Sequence, residues 1–221
     1  MGCVRQNLEA VLATLPQGVG LVAVSKFCPA EAVAEAYEAG QRVFGESRVQ
    51  ELVRKAAELP RDISWHFIGH LQTNKVRQVV GLVSLIESVD SERLLRAIDA
   101  ESERAGVVTR VLMEVHVAQE DTKTGFLPYE LERFFAGGGY RSLKATHICG
   151  VMGMASNTDD SGRIAADFRA IAGCRRRIAE MCPDLVGFDT VSMGMSGDYR
   201  LAIECGSTLV RVGTAIFGPR C

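Results

Sequence analysis

No apolar run in this 221-residue sequence reaches the roughly 18 residues that a membrane-spanning helix requires. The opening stretch, MGCVRQNLEA, lacks an apolar core of signal-peptide length. It begins Met1-Gly2-Cys3, but position six is Gln6, not the Ser or Thr of a myristoylation start. Low-complexity segments and linkers are missing. Charge of one sign is not in excess: a net charge of -2 argues against a nucleic-acid or membrane-surface binder. Seven cysteines form no CxxC pair and have mostly apolar neighbours, as in Ile148-Cys149-Gly150. They read as reduced thiols in a cytoplasmic protein. There is no HExxH motif. His66 and His70 are four apart but straddle a strand end and Gly69, which does not read as a metal site.

What remains is an ordinary globular composition, 47% hydrophobic and 24% charged. The chain is long enough to bury roughly 70% of its unfolded surface. Short β-branched runs alternate with longer amphipathic stretches. Strands are expected at 18–26, 41–44, 64–68, 82–88, 109–115, 144–151, 187–191 and 209–213. Helices lie between them, the longest over 161–181. Pro29 and Pro128 each open a helix, and Asp90 or Ser91 caps another. Eight strands alternating with helices predict an α/β fold, a single-domain TIM-type (β/α) barrel over residues 1–221. An open doubly wound sheet is the alternative.

Barrels of this kind carry their chemistry at the C-terminal ends of the strands, and frequently bind phosphate at the loops after strands seven and eight. Strand one closes on Lys26 after the apolar run Leu21-Val22-Ala23-Val24-Ser25. A lysine is seldom buried unpaired, and desolvation favours the neutral amine that attacks carbonyls. Alternatively, the amine simply leaves the strand into water. Strand seven is followed by SMGMSGD (192–198), and strand eight leads into RVGTAIFG (211–218). Both place glycines beside hydroxyls, where backbone N–H groups can meet an anion. Gly213 to Gly218 has P-loop spacing, but Pro219-Arg220 replaces the Lys and Ser/Thr, which argues against nucleotide hydrolysis. Arg211 shares a face with residues 209 and 213 and points into the barrel. It needs either a carboxylate such as Glu46 or Glu204, or a ligand's aromatic nitrogen. The run Arg175-Arg176-Arg177 reads as a solvated helix face.

Several segments, in order along nearly the whole chain, resemble the pyridoxal phosphate homeostasis protein family. They are AVSK (23–26), FGES with VQEL (44–52), WHFIGHLQTNK (65–75), SVDS (88–91), KTGF (123–126), GVMGMA (150–155), SMGMSGDYRLAI (192–203) and VRVGTAIFG (210–218). The resemblance implies a single-domain relative of the alanine racemase barrel that binds pyridoxal 5'-phosphate (PLP) at the C-terminal face of its strands. It implies that Lys26 holds PLP as a Schiff base and that the loop Ser192, Met193, Gly194 and Ser196, with Gly213 and Thr214, holds the phosphate. Arg211 then faces the pyridine nitrogen. Two positions depart from the pattern. Many members have Asn where this chain has Ser47, next to the cofactor, and Asn in the strand-five motif where it has His116.

The resemblance further implies a monomeric carrier that buffers PLP or delivers it to PLP-dependent apoenzymes, without turnover. Physical reasoning agrees. Arginine only donates, so the pyridine nitrogen opposite Arg211 stays unprotonated and the ring is a weak electron sink. The alternative, a PLP-dependent amino-acid racemase, needs a second base opposite Lys26. Only Pro219-Arg220-Cys221 follows Gly218, so no second domain is expected to supply one, and Tyr37, Tyr129, Tyr140 and Tyr199 have no context marking a base.

Overall fold

The computed structural model describes residues 3–117 and 124–219. Met1, Gly2, Arg220, Cys221 and Lys123 of the KTGF segment lie outside the described residues. Eight parallel strands form one closed barrel in sequence order. They are β1 (Gly20–Val24), β2 (Val43–Glu46), β3 (Ser64–Phe67), β4 (Leu85–Val89), β5 (Thr109–Val115), β6 (Thr146–Gly153), β7 (Thr190–Ser192) and β8 (Leu209–Val212). Pairing of Gly20 to Ala23 with Leu209 to Val212 joins the last strand to the first. That pairing decides for the barrel over the open sheet.

The helices among the described residues are α1 (Val4–Leu12), α2 (Ala30–Glu38), α3 (Val49–Glu58), α4 (Val76–Val79), α5 (Glu92–Ala105), α6 (Pro128–Ala136), α7 (Ser161–Met181), α8 (Tyr199–Glu204) and α9 (Thr214–Phe217). Local chemistry sets their ends. Ser91 caps α5 by accepting from Leu94 N, and Gly106 closes it in the left-handed region at φ 68°. Asp160 caps α7 by accepting from the N–H groups of Gly162 and Arg163. Helix α1 has no counterpart in the expected elements, although Leu8 and Val11 are buried at helical spacing.

Strand parity sorts two layers. Outward residues such as Ala23, Phe44, Trp65, Phe67, Ile86, Val111, Met113, Val210 and Val212 join the helices in one large apolar core. Inward, Leu85, Leu112, Cys149 and Met152 form a small plug, with Leu209 packed on it. One pleat further along β3, β4, β5, β7 and β8, the inward positions are His66, Glu87, Glu114, Ser192 and Arg211, all buried. The barrel is therefore apolar below and polar towards its C-terminal mouth.

Candidate functional site

Strand β1 stops at Val24, so Lys26 lies in a turn after the strand and does not end it. The Ser25 carbonyl accepts the Cys28 N–H at 3.0 Å, which makes Lys26 and Phe27 the two central residues. Phe27 has φ 65°, the sole positive φ at a non-glycine position among the described residues. A bulky residue there is strained by roughly 1–2 kcal/mol. Its N–H donates to Glu51 Oε2 at 3.0 Å, and the Arg48 guanidinium stacks on its ring at 4.6 Å. Lys26 is half-buried at the rim. With Gly213 and Thr214 it lines a cavity of about 160 Å³ that also includes Val24, Phe27 and Phe217.

Beneath the mouth lies the polar layer. Arg211 Nη1 donates to Ser192 O at 2.8 Å and to Ser192 Oγ at 2.6 Å, and Nη2 donates to Gly153 O at 3.0 Å. Ser192 Oγ donates in turn to Glu87 Oε2 at 2.6 Å. The other Glu87 oxygen is 2.7 Å from His66 Nδ1. Arg211 therefore has its carboxylate, but it is Glu87, at 3.8 Å, and neither Glu46 nor Glu204. Burial alone would raise the Glu87 carboxyl; His66, Arg211 and Ser192 outweigh it and hold Glu87 below the usual range. Among the described residues, Glu114 has no such hydrogen-bonded side-chain partner. Burial pushes it up to about 7, assisted by the charge of Asp90 and opposed by that of Arg211. A guanidinium has five N–H donors. Among the described residues, three of them are used by Ser192 and Gly153.

The two glycine-rich loops meet beside Lys26. Gly194 has φ 93°, and a Cβ there would come within 2.5 Å of the Ala202 methyl, so only glycine lets the β7 loop fold onto α8. Ser196 Oγ accepts from Gly213 N at 3.1 Å and Ala215 N at 3.3 Å. Its oxygen marks a point where two backbone N–H groups converge, an arrangement suited to an anion.

The expected site residues thus divide. Lys26, Gly213 and Thr214 share one cavity. Ser196 lines the adjacent larger one, of about 1160 Å³, with Met154, Asp159 and Tyr199. Ser192 is fully buried and orients Arg211 from below. Met193 is turned into the outer core, and its N–H and C=O bond to Leu209 O and Ser207 Oγ. Ser47 follows β2 with its backbone packed on Gly69. His116 Nδ1 is buried and has no hydrogen-bond partner among the described residues. His66 and His70 serve different carboxylates, Glu87 and Asp90. Sequence reasoning passed over Glu87, Glu114, Glu51 and Lys55. The signal was there: each glutamate of LIESV and LMEV has inward parity in an apolar strand, as Arg211 does in LVRV.

The whole chain, residues 1–221, matches the family model described as the alanine racemase N-terminal domain, and that is the class of this barrel. Alanine racemase from E. faecalis has the same fold, with a TM-score of 0.74 over 98% of this chain and 58% of its own, at 18% identity. The chain belongs to the pyridoxal phosphate homeostasis protein family. The member from Vibrio alginolyticus is 35% identical over 235 residues, covering 100% of this chain and 99% of its own. The structure of PipY from Synechococcus elongatus with PLP bound has a TM-score of 0.90 at 36% identity, over 97% of this chain and 100% of that one.

Proposed function

We propose that this protein binds PLP at the barrel mouth through Lys26 and serves PLP homeostasis as a carrier, without turnover. The observation that carries the reading is the convergence of Lys26, Gly213 and Thr214 on one cavity above the Arg211 layer. The donor set fits the cofactor: an amine for its aldehyde, backbone N–H and hydroxyl groups for its phosphate, and an N–H group of Arg211 for its ring nitrogen. PLP supplies an aldehyde that condenses with amines and a ring that accepts electron density. The residues here bind and orient it. Ser192 and Glu87 hold the guanidinium, and an arginine cannot hand over its proton, so the ring nitrogen stays unprotonated. A racemase would need a base facing Lys26, and none of the four tyrosines lines the Lys26 cavity.

The free cysteines among the described residues suit a reducing cytoplasm, and no described helix is long and apolar enough to cross a membrane. The carrier acts as a monomer and hands PLP to PLP-dependent apoenzymes. Protein purified without added cofactor should absorb near the visible edge, and borohydride should fix the cofactor to Lys26. Lys26→Ala should lose both signals and keep the fold, and the parent should not racemise amino acids. Cofactor still fixed to the Lys26→Ala protein, or measurable racemisation by the parent, would overturn this reading.

A further inference from the structure

Helix α3 carries a lysine that has no place in the binding scheme above. Lys55 lies on the inner face of α3 with Val49 and Leu52 and is fully buried, as is Glu46 at the end of β2. Burying an ion pair is costly unless its hydrogen bonds are complete, so this one is poor packing material. Its bonds converge on the Lys26 turn. Lys55 Nζ donates to Glu46 Oε1 at 2.7 Å and to the Ser25 carbonyl at 2.8 Å. Ser25 Oγ donates to the same Glu46 oxygen at 2.6 Å. Glu51, one helical turn before Lys55 and 3.7 Å from its Nζ, accepts the Phe27 N–H at 3.0 Å.

The Ser25 carbonyl belongs to the peptide plane before the Lys26 Cα, and the Phe27 N–H belongs to the plane after it. Peptide units are rigid, so anchoring both planes fixes φ and ψ at Lys26, and with them the direction of its Cα–Cβ bond. The same contacts hold the strained φ of Phe27. We propose that Lys55, Glu46 and Glu51 form a buried positioning cluster that aims the Lys26 amine at the carbonyl carbon of its ligand. The idea rests on the reading that Lys26 carries PLP. In that attachment the neutral amine nitrogen bonds to the aldehyde carbon, and the aldehyde oxygen leaves as water with the two amine protons. Aim matters for such a step, because a displacement of ~1 Å can cost up to about 100-fold in rate. Burial raises the Glu46 carboxyl, with Lys55 and Ser25 opposing. Glutamine keeps the Oε1 that accepts from both Lys55 Nζ and Ser25 Oγ, and is therefore a fair mimic of it.

Two ligands separate positioning from general damage. PLP has the aldehyde, whereas 4'-deoxypyridoxine 5'-phosphate keeps the ring and phosphate and lacks it. Lys55→Met should slow borohydride-fixable attachment of PLP about tenfold or more while the aldehyde-free analogue binds within about twofold of the parent. Glu51→Ala, which removes the Phe27 acceptor from a partly exposed site and spares the fold, should show the same split more weakly. Glu46→Ala should match Lys55→Met, and the conservative Glu46→Gln should recover most of the attachment rate. Equal weakening of both ligands, or no change in either, in the folded Glu51→Ala protein would overturn the inference. Cofactor fixed to the Lys26→Ala protein would overturn the proposed function itself, a separate outcome from the other two.

Discussion

Glu114 holds a carboxyl where charge is disfavoured, inside the barrel and in the field of Asp90. Its folded value of about 7 lies above the ordinary 4.5, so the folded state binds the proton more tightly than the unfolded chain. This group's contribution is therefore fully present at low pH and is lost as pH rises from about 4.5 through 7. The size is on the order of 3 kcal/mol across that window. Glu114→Gln should flatten the decline between pH 5 and 7.5 and make the protein more stable than the parent at pH 8. Urea denaturation of both proteins across that range checks it, and parallel curves would refute it. Arg211 illustrates residue-scale legibility. Its inward parity was readable from LVRV, because Val210 and Val212 must face the helices. Its partner was not, since Glu87 lies 124 residues earlier and on the far side of Ser192.

The elements were mostly readable because their signals are local. Helix α7 is found over 161–181, the span expected from the sequence, and the structure adds its Asp160 cap. The strands were harder to bound. β6 extends to Gly153, past the expected 151, and its register on β5 slips at Cys149, between Val111 and Leu112. Gly150 then pairs with Thr190 of β7 so closely that a Cβ would sit 1.9 Å from the Thr190 carbonyl oxygen. No side chain can occupy that space without moving the β7 backbone. Gly150→Ala should destabilise the protein by about 3 kcal/mol or more, seen as a lower urea midpoint. A change below about 0.5 kcal/mol, the range of ordinary surface substitutions, would show that β6 and β7 do not pack this way. Strand β1 ends at Val24, before the expected residue 26, for a related reason. Parity carries an apolar run onward until something turns it, and here the turn is made by Cys28, Lys55 and Glu51, which the run itself does not reveal.

At the scale of the whole molecule, the site is assembled from both ends of the chain. Lys26 comes from the first βα turn and Thr214 from the last, and β1–β8 pairing brings them to one cavity. The N-terminal helix adds to this closure, since Asn7 Nδ2 donates to Ile216 O of α9 and Thr14 bonds Tyr199 of α8. A ligand spanning this seam should stabilise the barrel as a unit. At 100 times its dissociation constant PLP should add about 2.7 kcal/mol, or roughly 5–10 °C in melting temperature for a chain of this size. Pyridoxal at the same concentration lacks the phosphate and should shift it by less than about 2 °C. Equal shifts for the two would deny the phosphate loops their part.

By itself the sequence determined the alternation of strands and helices, the buried faces and the two glycine-hydroxyl loops. Each rests on periodicity or on the needs of one short turn, and those are local. The family motifs marked Lys26, Arg211 and Thr214 in the same one-dimensional way. The count of eight strands favoured closure, and the structure decided it against the open sheet; the Arg211–Ser192–Glu87–His66 chain across the interior and the Lys55 cluster around the Lys26 turn were decided only by the tertiary structure. A buried charge takes its partner from whichever strand or helix closure sets against it, and no spacing along the chain records that neighbour.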